Sequence, residues 1–74
     1  MKIDEFLDEL KDILEVDELD TDSVLVELDE WDSLSIMSVM VFFSKKFGIN
    51  IKIKDIQEVK SVKDLISLSE GNIN

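Results

Sequence analysis

The chain has 74 residues, a formal net charge of −10, and neither histidine nor cysteine. A disulfide scaffold, a Ser-His-Asp triad and most zinc or haem sites are thereby excluded. The acidity opposes nucleic-acid binding and favours partners with basic patches.

Ile3, Phe6, Leu7, Leu10, Ile13 and Leu14 recur at three- and four-residue steps among Asp4, Glu5, Asp8, Glu9, Lys11 and Asp12. That spacing predicts an amphipathic helix with one apolar stripe. From Val16 to Asp32 the pattern weakens into turn and cap formers, Asp17, Asp20, Thr21, Asp22 and Ser23. Val24, Leu25, Val26 and Leu28 are apolar enough to lie as a loop across a core. A connection of this length is often functional, and repulsion among its carboxylates should make it one of the looser regions.

Ser33 to Phe47 reads as a second helix, with Asp32 as N-cap and Ser35 three residues on. Val39, Met40, Phe43 and Phe47 form a stripe that Ile36, Met37, Val41 and Phe42 broaden. Little polar face remains beyond Ser35, Ser38 and Ser44, so this helix is either central or exposes an apolar patch. Lys45 and Lys46 complement its dipole, and Gly48 is placed for a left-handed C-cap.

Ile49 to Lys54 alternates like a strand. A single strand has no partner here, so an extended linker dropping Ile51 and Ile53 into the core is more economical. Asp55 to Val59 suits a short helical turn. Ser61-Val62-Lys63-Asp64 resembles a capping box opening a last helix, with Val62, Leu65, Ile66 and Ser69 inward and Gly71 at its end. Asn72-Ile73-Asn74 should fray. The sum is an all-α fold over residues 1–74, a small helical bundle of three main helices plus one short helix, with a long first loop. The acidic N-terminal segment is unlike a secretory signal, and no apolar run spans a membrane. A cytoplasmic monomer without membrane insertion is the expectation.

Charge divides the chain more sharply than its total suggests. Residues 1–33 carry a net −12 and residues 34–74 a net +2. Asp32-Ser33-Leu34 stands at this junction, between the acidic loop and the most apolar stretch. Without a histidine base Ser33 is no triad nucleophile, but it is placed for another enzyme to attach something to it. A simple helix cap is the alternative.

These elements together resemble the acyl carrier protein family over nearly the whole chain. The resemblance is strongest at Glu30-Trp31-Asp32-Ser33-Leu34 and at Phe47-Gly48-Ile49-Asn50-Ile51. It implies that Ser33 receives 4′-phosphopantetheine from coenzyme A through a phosphopantetheinyl transferase. The thiol of that arm then bears an acyl or aminoacyl group as a thioester. Partners would include an acyl- or aminoacyl-adenylating ligase and an acyltransferase or synthase. The protein itself would be no enzyme and hold no metal. By the same resemblance Asp32 is the acidic residue that partners read, Leu34 the hydrophobic docking residue, and Met37 the exposed apolar contact. Core packing is the alternative for Leu34 and Met37.

The chain also departs from that family. Trp31 stands where glycine is usual, as a lid on the loop–helix junction or a partner contact. Ser35, Ser38, Ser44 and Lys45 stand where the second helix of fatty-acid-synthesis carriers bears carboxylates. The negative field near the serine must come from Glu27, Asp29, Glu30 and Asp32. A specialised carrier serving a dedicated ligase or transferase is the resulting expectation. The rival is a small acidic interaction module, an adaptor or inhibitor, without a prosthetic group. It explains the charge and the apolar helix but leaves the surroundings of Ser33 unexplained. Asp20-Thr21-Asp22 starts like a calcium loop but lacks glycine at its sixth position (Leu25) and Glu at its twelfth (Trp31).

Overall fold

In the computed structural model, which describes residues 1–74, the first amphipathic run forms α1, Ile3–Leu14. Phe6, Leu10 and Leu14 are its buried side chains, so the four-residue steps do lie on one stripe. The connection that follows contains one 3₁₀ turn, Leu25–Glu27. The apolar run forms α2, Ser33–Phe47, closed by Gly48 in the left-handed region at φ 70°. Two short helices complete the fold, α3 (Ile53–Gln57) and α4 (Val62–Ser67). The architecture is the all-α bundle that periodicity predicts, without a β-strand.

Twelve apolar side chains from α1, the long connection, α2 and the C-terminal third form one core. Phe6 of α1 meets Phe42 and Phe43 of α2, and both of these meet Phe47, with ring centroids 5.3 to 6.2 Å apart. Offset and edge-on contacts of this kind add to the burial energy of the rings. They fill the space between α1 and the C-terminal half of α2 and leave the N-terminal end of α2 to the loop.

The long connection is anchored where charge repulsion alone predicts looseness. Val26 N–H donates to the Lys60 carbonyl at 3.3 Å, Val62 N–H to Ser23 at 3.1 Å, and Lys63 N–H to Thr21 at 3.2 Å. Val24 and Ser61 pair as an isolated antiparallel bridge. Lys63 Nζ also donates to Asp22 Oδ1 at 2.7 Å, and that bond raises the Lys63 pKa. Leu25 is fully buried, whereas Val24 and Val26 are exposed. Of the four apolar residues expected to lie across the core, Leu25 is its fully buried anchor and Leu28 packs against it, while Val24 and Val26 do not.

Ser61 and Asp64 form the expected capping box. Asp64 Oδ2 accepts the N–H of Lys60 at 3.0 Å and of Ser61 at 3.2 Å. These backbone bonds hold the Asp64 carboxyl below its ordinary pKa. A depressed carboxyl stabilises the fold above its unfolded pKa, and that contribution is lost as pH falls through the folded value. Asp64→Asn is expected to lower the Tm at neutral pH, with the gap to the parent closing below about pH 4. Thermal scans from neutral to acid pH check this, and a gap that stays constant in acid overturns it.

Three expectations are corrected at the C-terminal side. Ile53 does not enter the core; it opens α3 and is exposed, while Ile51 alone of the linker is buried. α4 ends at Ser67, before Gly71, because residues 68–71 turn the chain back. The last three residues do not fray. Ile73 is 4 % exposed within the core. The Ile73 N–H donates to Ser69 Oγ at 3.2 Å, and Asn74 N–H to the Met1 carbonyl at 2.9 Å. Burial of one isoleucine outweighs the usual freedom of a chain end.

Candidate functional site

Asp32 has extended backbone, φ −121° and ψ −176°, as an N-cap requires. Its Oδ1 accepts the Ser35 N–H at 3.0 Å, and Ser35 Oγ accepts the Asp32 N–H at 3.0 Å. The Ser35 hydroxyl in turn donates to the Glu30 carbonyl at 2.6 Å, with the Asp32 carbonyl at 3.0 Å. Ser35 is thus buried, not part of the polar face where the sequence reading puts it. It ties the last residues of the acidic loop to the first turn of α2. The available signal was its place three residues after Asp32, the reciprocal position of a capping box, usually held by Glu or Gln.

Loss of the Ser35 hydroxyl removes its bonds to the Glu30 carbonyl and the Asp32 N–H, which keep only each other, at 3.0 Å. Ser35→Ala is therefore expected to cost about 1–3 kcal/mol. For a domain of this size that is a Tm fall of about 4–24 °C. A thermal melt with no measurable fall would show that water replaces the latch.

The cap is complete without Ser33. Ser33 is the first residue of α2, exposed, and takes no part in the capping bonds. The helix-cap alternative for Ser33 is removed, because Asp32 fills that role. Ser33 lines a cleft of about 180 Å³ together with Ile36, Met37, Met40, Ile53, Ile56 and Gln57. Ile36 lines this cleft, while Phe43 and Ile51 belong to the core and Phe42 packs against it. Ile53, expected in the core, instead lines this cleft.

Leu34 is 78 % exposed and Met37 63 % exposed. Core packing is excluded for both. Glu27, Asp29, Glu30 and Asp32 are exposed in the loop before them. Glu30, Asp32 and Leu34 also border a shallow hollow with Ile13, Ser35 and Ser38. Trp31 is half-buried and packs against the core, as a lid on the junction would.

A covalent phosphodiester fits this place. Ser33 offers an unengaged hydroxyl, and the first turn of a 15-residue helix offers free N–H groups and the positive end of its dipole. Asp32 and Glu30 would repel a free phosphate, but a covalent bond needs no binding energy to hold the anion. The apolar cleft beside Ser33 suits the carbon chain of an attached group rather than a charged ligand.

Comparison with known proteins agrees with this geometry. The chain is 28 % identical over 81 aligned residues to the acyl carrier protein of Petrotoga mobilis, covering 100 % of this chain and 94 % of that protein. It is 29 % identical over 79 aligned residues to the acyl carrier protein of Coprothermobacter proteolyticus, covering 99 % and 96 % respectively. No solved structure matches it. The phosphopantetheine attachment site family matches residues 4–68, nearly the whole fold. The chain belongs to that family, whose members carry 4′-phosphopantetheine covalently.

Proposed function

We propose that the protein is an acyl carrier whose arm is attached at Ser33, with residues 1–74 acting as one carrier domain. The observation that carries this reading is the division of labour at the start of α2. Asp32 and Ser35 build the cap, and Ser33 between them is exposed and unengaged beside an apolar cleft. The arm's thiol supplies thioester chemistry when it is bound. The chain's own residues position the attachment point, shelter the arm's apolar cargo against Ile36, Met40 and Ile53, and present the junction to partners. No catalysis by the chain itself is proposed.

The partners are a phosphopantetheinyl transferase, an acyl- or aminoacyl-adenylating ligase, and an acyltransferase or synthase. Asp32, Leu34 and Met37 form the docking centre, flanked by Glu27, Asp29 and Glu30. A near-uncharged α2 favours a dedicated partner over one that reads an acidic helix. The setting is cytoplasmic; no helix is long and apolar enough to cross a membrane.

Intact mass after incubation with coenzyme A and a broad-specificity phosphopantetheinyl transferase tests the reading. A gain of one phosphopantetheine is expected. No gain would leave the acidic interaction module as the better description.

The docking assignment has its own measurement. Reversing Glu27 and Glu30 to Lys is expected to lower the transferase kcat/KM by about tenfold, through lost attraction for a basic partner surface. Ser38→Glu, on α2, should change it by less than about twofold. The opposite ranking would show that the loop carboxylates do not supply the charge of the docking surface.

A further inference from the structure

α2 presents one continuous exposed stripe. Leu34, Met37 and Val41 follow each other at steps of three and four residues, and all are more than half exposed. The next step of four reaches Lys45, also exposed and in no ion pair. Lys46 belongs elsewhere: it lines a groove with Met1, Glu5 and Phe47 on another side of the helix. Dipole complementarity accounts for a cation in this last turn. It does not distinguish Lys45 from Lys46, whereas the stripe does.

The stripe is therefore bipolar. At its start stand the exposed carboxylates Glu30 and Asp32, its middle is apolar, and at its end stands a free ammonium. With a rise of 1.5 Å per residue, Leu34 and Lys45 lie about 16 Å apart along the axis. A uniformly basic partner surface satisfies the first end and is repelled at the second.

We propose that the stripe docks a partner surface of the matching charge order. That surface presents a basic group against Glu30 and Asp32, an apolar centre against Leu34, Met37 and Val41, and a carboxylate against Lys45. A second copy of this chain is a poorer occupant, because two chains of net charge −10 repel each other before contact. The inference rests on the carrier reading and gives its partner a specific face. Lys45 would act as a discriminator, rejecting partner surfaces that are basic along their whole length.

The test uses the phosphopantetheine-loaded, ¹⁵N-labelled protein and two helical peptides as probes. One peptide carries lysines at one end, leucines in the middle and glutamates at the other end. The second replaces those glutamates with lysines. Titrations are followed by amide shifts for the parent, for Lys45→Glu, and for Lys60→Glu. Lys60→Glu changes net charge equally at an exposed place away from the stripe.

The bipolar peptide is expected to shift the amides of Leu34, Met37, Val41 and Lys45. Its affinity should fall about fivefold or more with Lys45→Glu and be nearly unchanged with Lys60→Glu. The all-basic peptide should gain more from Lys45→Glu than from Lys60→Glu. A paramagnetic label on the peptide's basic end should broaden Glu30 to Leu34 and spare Lys45. Equal responses of the two lysine variants, even broadening along α2, or no shift on the stripe with either peptide would each overturn the proposal. Loading is read separately by mass. A loaded protein without a position-45 effect sinks this inference alone, and a chain that takes no arm sinks the carrier reading.

Discussion

Ser33→Ala is expected to abolish prosthetic loading completely while leaving the fold almost untouched. The Ser33 side chain is exposed and stands outside the capping bonds, which Asp32 and Ser35 make with each other. Alanine has the best intrinsic propensity for a helix. An exposed substitution of this kind changes stability by no more than about 0.5 kcal/mol, a Tm shift of at most about 4 °C. Loading, in contrast, has no other unengaged hydroxyl on α2 to use. The remaining hydroxyls of α2 are committed: Ser35 to Glu30, Ser38 to the Leu34 carbonyl at 3.1 Å, and Ser44 to Asn50 at 3.2 Å. Intact mass with transferase and coenzyme A, beside a thermal melt of the same sample, gives both readings. A mass gain that survives the substitution would move the attachment point. A large fall in Tm would return Ser33 to a structural role. Two residues on, Ser35→Ala should behave in the reverse sense, with a large stability loss while Ser33 is still present.

That contrast shows what a sequence can and cannot reveal here. Caps and periods are local, so Asp32, Gly48 and the Ser61–Asp64 box were legible from neighbours within four residues. The apolar steps of α1 likewise named its buried face. What escaped depends on contacts between distant segments. A serine at the third helical position looks the same whether it faces water or a carbonyl of the preceding loop; only the path of the loop past Glu30 decides that Ser35 turns inward. Ile53 alternates with Ile51, yet the start of α3 rotates it outward, where it lines the Ser33 cleft. Ile73 follows a glycine near the chain end, the composition of a frayed tail. It is buried because Met1 and Ser69 offer bonds that no local pattern announces. The candidate site followed the same division. The junction at Ser33 was readable, while the cleft beside it required coordinates.

The largest stability effect is expected from the loop rather than from a helix. Leu25 lies in the 3₁₀ turn and is fully buried, flanked by Val24 at 41 % and Val26 at 53 % exposure. Its side chain is the one residue of the turn that enters the core. Leu25→Ala should cost about 2–5 kcal/mol from lost transfer energy and the cavity left behind. A 74-residue protein has a total stability of about 4–11 kcal/mol at typical values per residue. The substitution thus removes a large share of it, with a Tm fall of about 8–40 °C. Val26→Ala, one residue away and exposed, should stay within about 0.5 kcal/mol of the parent. Function should suffer as well. The same loop carries Glu30 to Ser35 and bonds Val26 to Lys60, so losing its anchor frees the segment that places Asp32 and Ser33. Below its lowered Tm, the Leu25→Ala protein should keep its helical circular dichroism but load more slowly than the parent. Equal melting of the Leu25 and Val26 variants would show that the loop is a passive cover. A Leu25 variant that loads at the parental rate would show that the cap of α2 holds the site without the loop's help.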